Sequence, residues 1–375
     1  MTTIEQTTNE VSTTGLSRRH FIQAAAATGV AIPFAQMLGG SSVGAAGKVF
    51  RYAAQAQEGP AAPWMSKGGS LGILNAVGSW LCDVAPSGEL KPSIATNWKG
   101  SNAGQTWTFT IRADVKFHDG AALTADDVVY TVKSHLDPVN KSQSAARLAD
   151  VADCVKVNAT TVRFDLKKAN ANFPFAVSSS NYGLLMLKNG TKGDESWVKT
   201  MNGTGKWIMV SHKVNEKTVF KRNPNYFDKA QMPSFETMEQ IQYVSQSAAI
   251  PALKTGKLDS IHLLYGNEAD TLPKAKFYKT LVPTCGGLHM HMRADIGQLT
   301  DKRVREAIAL TLDRTAYIKG VLGGYALIAN DSVMDSFPTA DKKVPQRKKD
   351  IARAKELLAE AGVPNGFKLT LQSWK

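Results

Sequence analysis

The sequence of 375 residues lacks a long uninterrupted apolar run. Its most apolar stretch, residues 24–38, is interrupted by Thr28, Gly29, Pro33 and Gln36, whereas a membrane-spanning helix needs about 20 predominantly apolar residues. The sequence also lacks a Walker loop and a His-Glu-x-x-His string, which are signatures of nucleotide-binding loops and zinc proteases. The sequence therefore does not indicate a membrane-spanning protein or either of these two classes.

Cysteine is scarce as well. The three cysteines are Cys82, Cys154 and Cys285, and their spacing matches no metal-ligand motif. An odd number permits at most one disulfide and leaves one thiol over, so the cysteines do not define the fold.

Acidic side chains are outnumbered, with 32 Asp and Glu against 45 Lys and Arg and a net charge of +13. The basic residues are scattered, and the densest group is the short run at 346–349. A nucleic-acid-binding protein usually gathers such charge into a stripe or patch. We therefore expect no nucleic-acid partner.

The first 46 residues have the composition of an export signal. A polar leader is followed by Ser17, Arg18, Arg19, His20 and Phe21, and then by the moderately apolar stretch. This order is similar to a bacterial twin-arginine signal, which directs folded proteins across the membrane. We expect Arg18 and Arg19 to be read by the twin-arginine translocase, and the rest of the chain to be a soluble periplasmic protein.

The remainder alternates between strand and helix patterns. Residues 106–112 alternate apolar and polar side chains, as a half-buried strand does, and residues 207–212 and 217–222 predict a hairpin. Asp301 and Asp350 each precede an amphipathic segment and are expected to cap helices. Residues 367–373 also alternate like a strand close to the last residue, so we expect a chain truncated at its C-terminal end.

Eight separated strings together resemble the extracytoplasmic solute-binding proteins of the peptide and nickel type (family 5), which serve ATP-driven importers. The strings are residues 88–98, 107–120, 123–128, 203–205, 221–226, 252–259, 301–314 and 354–362. One departure is Lys206-Trp207, which stands where proline and an aromatic residue often follow Gly-Thr-Gly.

The resemblance implies an α/β protein with the two-lobed fold of periplasmic binding proteins. The first lobe would comprise residues 48–90 and 203–265, an inserted α+β subdomain residues 91–202, and the start of the second lobe residues 267–375. The C-terminal return of the chain to the first lobe would be missing.

The resemblance also implies a function without catalysis or cofactor. The two lobes would close on a peptide-like or related small solute and present it to the permease subunits of an ABC importer. Candidate ligand contacts are Trp64 and Met65, which follow the first strand, and Tyr265 and Gly266, which lie where the chain crosses between lobes.

Two other functions stay open. His289 and His291 would share one face of a strand, roughly 6.6 Å apart at the backbone, which is compatible with a nickel- or haem-binding member of the same fold if a third ligand is supplied. Ser196-x-x-Lys199 and Lys254-Thr-Gly256 match two motifs of penicillin-recognising serine enzymes. The third motif of those enzymes, Ser-Asp-Asn, is missing.

Overall fold

The computed structural model describes residues 49–85, 88–264, 266–273, 277, 290–329, 341 and 343–371. The residue contacts divide the chain into two units. One contains the described residues up to 264 with 272–273 and 277, and the other contains residues 266–271 and those from 290 onward.

The first unit contains two main sheets and a short two-stranded one. Its strands are β1 (Val49–Gln55), β2 (Cys82–Val84), β3 (Leu90–Pro92), β4 (Ala95–Ser101), β5 (Thr106–Ile111), β6 (Val151–Asn158), β7 (Thr161–Leu166), β8 (Trp207–Lys213), β9 (Lys217–Arg222), β10 (Thr237–Tyr243) and β11 (Ser260–Ile261). The α-helices of the described chain are α1 (Ser70–Val77), α2 (Ala125–Leu136), α3 (Phe173–Ala176), α4 (Ile250–Lys254), α5 (Gly266–Ala269), α6 (Lys302–Thr311), α7 (Arg314–Gly320) and α8 (Ile351–Glu360).

The five-stranded sheet has the order β11-β1-β10-β9-β8. Strand β1 runs parallel to both β10 and β11, while β9 and β8 add antiparallel neighbours. One face packs on α1, and the other packs on α4 through Ala53 and Leu253. Because β1, β10 and β11 are parallel, their carboxyl ends lie at one edge of the sheet.

The four-stranded sheet is antiparallel, with the order β4-β5-β7-β6. Helix α2 packs on it and begins with a reciprocal cap, in which the Asp127 carboxylate accepts hydrogen bonds from the backbone and hydroxyl of Thr124 at 2.7 and 2.8 Å. Phe109 and Phe164 meet edge to face in its core at a ring separation of 5.4 Å.

In the second unit, α6 and α8 bury a small apolar cluster made by Ala307, Leu310, Ala354 and Leu357. Both helices have the aspartate caps that the sequence predicted. Asp301 accepts from the backbone N–H of Arg303 at 2.8 Å, and Asp350 accepts from that of Arg353 at 2.9 Å.

The strand expected at 367–373 is wrong for the residues described there. Residues 367–371 have no strand structure, and Leu369 and Leu371 are 51% and 74% exposed. An alternating sequence forms a strand only when a neighbouring strand pairs with its backbone, and within residues 367–371 no such pairing occurs.

The hairpin of β8 and β9, the strand β5 and the helices α6 and α8 agree with the sequence-based expectations. The division into a first lobe, an insertion and a second lobe stays a prediction. Within the part of the chain described, no helix combines the length and apolar character needed to cross a bilayer.

Candidate functional site

The loop of residues 56–69 leaves the five-stranded sheet at the carboxyl edge of its parallel strands, where open α/β sheets commonly bind ligands. The backbone N–H of Ala56 donates to the carbonyl of Tyr243 at 3.0 Å, which ties the start of the loop to β10. At its end, a Cβ on Gly69 would lie 2.0 Å from the carbonyl oxygen of Gln55, so only glycine allows the chain to return this closely.

Trp64, a predicted ligand contact, is buried in this loop with 6% of its surface exposed. Its N–H donates to the carbonyl of Gly193 at 3.0 Å, and its carbonyl accepts from the N–H of Gln143 at 3.1 Å. A Cβ on Gly193 would lie 2.7 Å from the indole nitrogen, so the ring packs directly on that glycine. Trp64 therefore anchors the loop.

Met65, the next predicted contact, is 38% exposed. Its backbone N–H donates to the carbonyl of Ala62 at 3.0 Å, which closes a turn and fixes where the residue emerges. A methionine side chain is flexible and polarizable, and it suits surfaces that accommodate ligands of varied shape. The buried Trp64 thus holds the loop in place, and the adjacent Met65 is an exposed side chain of the loop.

Of the other predicted residues, the structure describes only Gly266. Tyr265 lies outside the described residues, as do Arg18 and Arg19. Gly266 begins helix α5 in the second unit.

Sequence reasoning missed a polar row that crosses the five-stranded sheet. The strand register aligns Ser260, Tyr52, Gln240, Thr218 and His212. Except for the half-buried His212, these side chains are buried. The signal was present in the sequence, because Gln240 and Gln242 occupy alternate positions of a strand where apolar side chains are usual.

Sequence reasoning also missed a cluster around Lys206, whose ammonium donates to Gln231 at 2.9 Å and lies 5.7 Å from the centre of the Tyr226 ring. Burial lowers the pKa of Lys206 to about 8, against the opposing effect of the Asp83 and Asp228 carboxylates. Burial raises the pKa of Asp83 to about 6, although the Lys206 charge acts in the opposite direction. Lys206 is one of the departures from the family pattern noted above.

The two histidines considered as metal ligands fall at the border of the described region. His289 lies outside it, and the strand expected for this segment is wrong at the described residues Met290, His291 and Met292, which have no strand structure. Across the part of the chain that the structure describes, no three His, Cys, Asp or Glu side chains are grouped to hold a metal ion. Cys82 and Cys154 are buried and free.

The motifs of the serine-enzyme alternative lie on elements unsuited to that chemistry. Ser196 lies in a short 3-10 helix, Glu195–Lys199, and its hydroxyl donates to Asp194. Lys254 ends helix α4 and Gly256 follows in a turn, whereas the Lys-Thr-Gly motif of those enzymes flanks the site from a strand.

Comparison with known proteins shows which family the chain belongs to. The family model described as "Bacterial extracellular solute-binding proteins, family 5 Middle" matches residues 89–374. The chain belongs to this family. The resemblance recognised in the eight sequence strings is thereby confirmed.

Two curated relatives illustrate the range of this family. The chain is 26% identical over 285 residues to the nickel-binding periplasmic protein of Escherichia coli (strain K12), covering 73% of this chain and 53% of the relative. It is 28% identical over 269 residues to the periplasmic murein peptide-binding protein MppA of the same organism, covering 63% of this chain and 47% of the relative. The family 5 chain thus spans about half the length of these relatives.

The solved structure of NikZ from Campylobacter jejuni in complex with Ni(L-His) has the same fold. It superposes with a TM-score of 0.70 at 23% identity, covering 84% of this chain and 63% of that one. The expected α/β fold of the two-lobed periplasmic binding proteins is therefore confirmed.

Proposed function

We propose that this family 5 chain is the solute-binding component of an ABC importer and captures a peptide-like or related small solute without altering it. The observation that carries the proposal is the exposed Met65, held by the anchored Trp64 at the carboxyl edge of the parallel strands. The curated relatives are named as binding proteins, which supports binding rather than catalysis. The permease subunits of the importer would be the partner.

Met65→Ala is expected to weaken solute binding about tenfold, the equivalent of about 1.4 kcal/mol. The methionine is exposed, so its truncation should leave the midpoint of thermal unfolding within about 2 °C of the parent. Isothermal titration with di- and tripeptides, and in parallel with a nickel-histidine complex, measures the affinity.

The matched control is Val139→Ala, which truncates another exposed apolar side chain, 83% exposed, at the end of α2. It should leave binding unchanged. Equal affinities of the parent and the Met65 variant for the solute would show that the loop is not part of the binding surface. Failure of every peptide with retention of the nickel complex would favour the nickel- or haem-binding alternative, which the name of the nickel-binding relative supports.

We further propose that residues 1–46 export the protein as a twin-arginine signal, so that it acts in the periplasm. Changing both Arg18 and Arg19 to lysine should abolish export, with nearly all the protein retained in the cytoplasm, because this pathway recognises the arginine pair itself. Cell fractionation and immunoblotting give the distribution. Continued export of the variant would indicate the general secretory route instead.

A further inference from the structure

Two buried glutamines of β10 and one in the loop that follows β1 have side chains without hydrogen-bond partners among the described residues. Gln57, Gln240 and Gln242 are 8%, 0% and 7% exposed, and neither the oxygen nor the nitrogen of any of the three amides has a partner. With Gln246, glutamines supply eight of the 14 such buried atoms among the described residues. Gln57, Gln240 and Gln242 alone account for six of these atoms.

Two of the three residues, Gln57 and Gln242, are held by backbone hydrogen bonds to the turn between β8 and β9. The backbone N–H of Gln57 donates to the Asn215 side chain at 2.8 Å. The backbone N–H of Gln242 donates to the carbonyl of Glu216, also at 2.8 Å. Gln240 lies two residues before Gln242 in β10 and so shares its face of the sheet.

The side-chain amide of Gln240 also lies close to helix α1. A Cβ on Gly72 of α1 would lie 3.3 Å from its amide nitrogen and 3.8 Å from the Tyr52 hydroxyl, so the amide lies under the helix. Gln57 and Gln242 lie towards the edge of the sheet and keep slight exposure, although their amide nitrogens and oxygens are themselves buried. The arrangement has an inner amide and two outer ones.

Leaving these groups unpaired would be costly. Burying an amide without a hydrogen bond costs about 1–3 kcal/mol in proteins, so three would consume much of the stability of a domain. Buried polar groups in folded proteins are normally satisfied by protein, water or ligand. Since the described part of the chain does not satisfy them, an additional hydrogen-bonding group is needed.

The chemistry of the site favours an uncharged group. Carboxamides both donate and accept hydrogen bonds and carry no charge. The neighbouring charged side chains Arg51, Lys217 and Glu239 lie on the opposite face and pair among themselves, with Arg51–Glu239 at 3.8 Å and Lys217–Glu239 at 3.2 Å. An amide complements a carboxamide, because each supplies one donor and one acceptor to the other.

We propose that Gln57 and Gln242, backed by Gln240, form a subsite that binds an uncharged amide group of the solute. This inference rests on the proposed solute-binding function and names the class of group that the solute presents at this edge. It goes beyond the family assignment, which does not specify a chemical group.

The test uses the whole chain and two small probes of nearly equal shape, acetamide and acetate. Crystals are soaked in each probe, and dissociation constants are measured by saturation-transfer NMR. Acetamide should bind against Gln57 and Gln242 at least tenfold more tightly than acetate. Gln242→Met, which keeps the side-chain volume, should weaken acetamide binding at least tenfold. Gln105→Met, at an exposed glutamine in the turn between β4 and β5, should have no effect.

Three results would overturn the inference: equal binding of acetate, unchanged acetamide binding in the variant, or only ordered water at the glutamines in soaked crystals. If Gln242→Met does not fold, Gln57→Met provides the same comparison. Peptide titrations test the proposed function separately. Acetamide binding without any peptide binding would support the subsite and refute a peptide-like solute. Peptide binding without acetamide binding would support the proposed function and refute the subsite.

Discussion

Lys206→Met should lower the free energy of unfolding by about 2 kcal/mol at pH 7, because it removes the positive charge that favours the ionised form of the largely buried Asp83 carboxyl. The lysine also donates to Gln231 at 2.9 Å. Its hydrocarbon stem is replaced by a side chain of similar length, so the loss should reflect charge rather than volume. Urea denaturation followed by tryptophan fluorescence measures the change.

The pH dependence of the parent protein provides an internal check. The pKa of Asp83 is raised from 3.8 to about 6, so the folded state binds more protons than the unfolded state between these values, and stability should fall as pH rises through them. The pKa of Lys206 is lowered from 10.5 to about 8, so this lysine should make stability rise between pH 8 and 10.5. These two groups together produce a stability minimum between pH 6 and 8.

The double variant Asp83→Asn with Lys206→Met is the control. It removes both charges, and its stability should return to within about 1 kcal/mol of the parent or exceed it, since uncharged replacements of buried pairs are often neutral or stabilising. Its stability should also lose both pH slopes. A loss below about 1 kcal/mol for Lys206→Met alone would show that the two charges do not depend on each other.

Gly203→Ala should lower the free energy of unfolding by about 3 kcal/mol or prevent folding. A Cβ at this position would lie 2.0 Å from the carbonyl oxygen of Val77, at the end of α1. Because the obstruction is backbone, no side-chain rotation can relieve it. Expression in soluble form and urea denaturation measure the effect.

The matched control is Gly59→Ala, whose added Cβ would meet its nearest neighbour, the carbonyl oxygen of Met65, at an ordinary 3.7 Å. It should change the stability by less than about 0.5 kcal/mol. Gly203→Ala with parental stability would mean that the Gly-Thr-Gly segment does not pack against α1. The N–H of Gly205, which donates to the carbonyl of Val77 at 2.8 Å, argues for close packing.

Much of the fold could be predicted because its local signals are strong. The β8–β9 hairpin follows from two alternating segments around a turn, and α6 and α8 follow from an aspartate cap before an apolar stripe. The strand expected at 367–373 failed because alternation describes one strand only. Whether another strand pairs with it is a long-range property that the local pattern does not contain.

The site was harder to predict. Trp64 and Met65 were singled out together, but only the structure distinguishes a buried anchor from an exposed contact, because that difference depends on Gly193, far along the chain. The proposed glutamine subsite was missed for a similar reason. Gln57 and Gln242 are distant in sequence, and the parallel pairing of β1 with β10 brings the loop after β1 to the carboxyl end of β10.

That parallel pairing also has a consequence for biosynthesis. Val49 of β1 is paired with Thr237 of β10, so the ribosome must deliver everything between them before the central strand gains either neighbour. During that interval β1 offers unpaired N–H and C=O groups to any passing extended segment. If the export route accepts only folded proteins, β1 is unpaired only in the cytoplasm, where chaperones can shield the strand until the sheet forms.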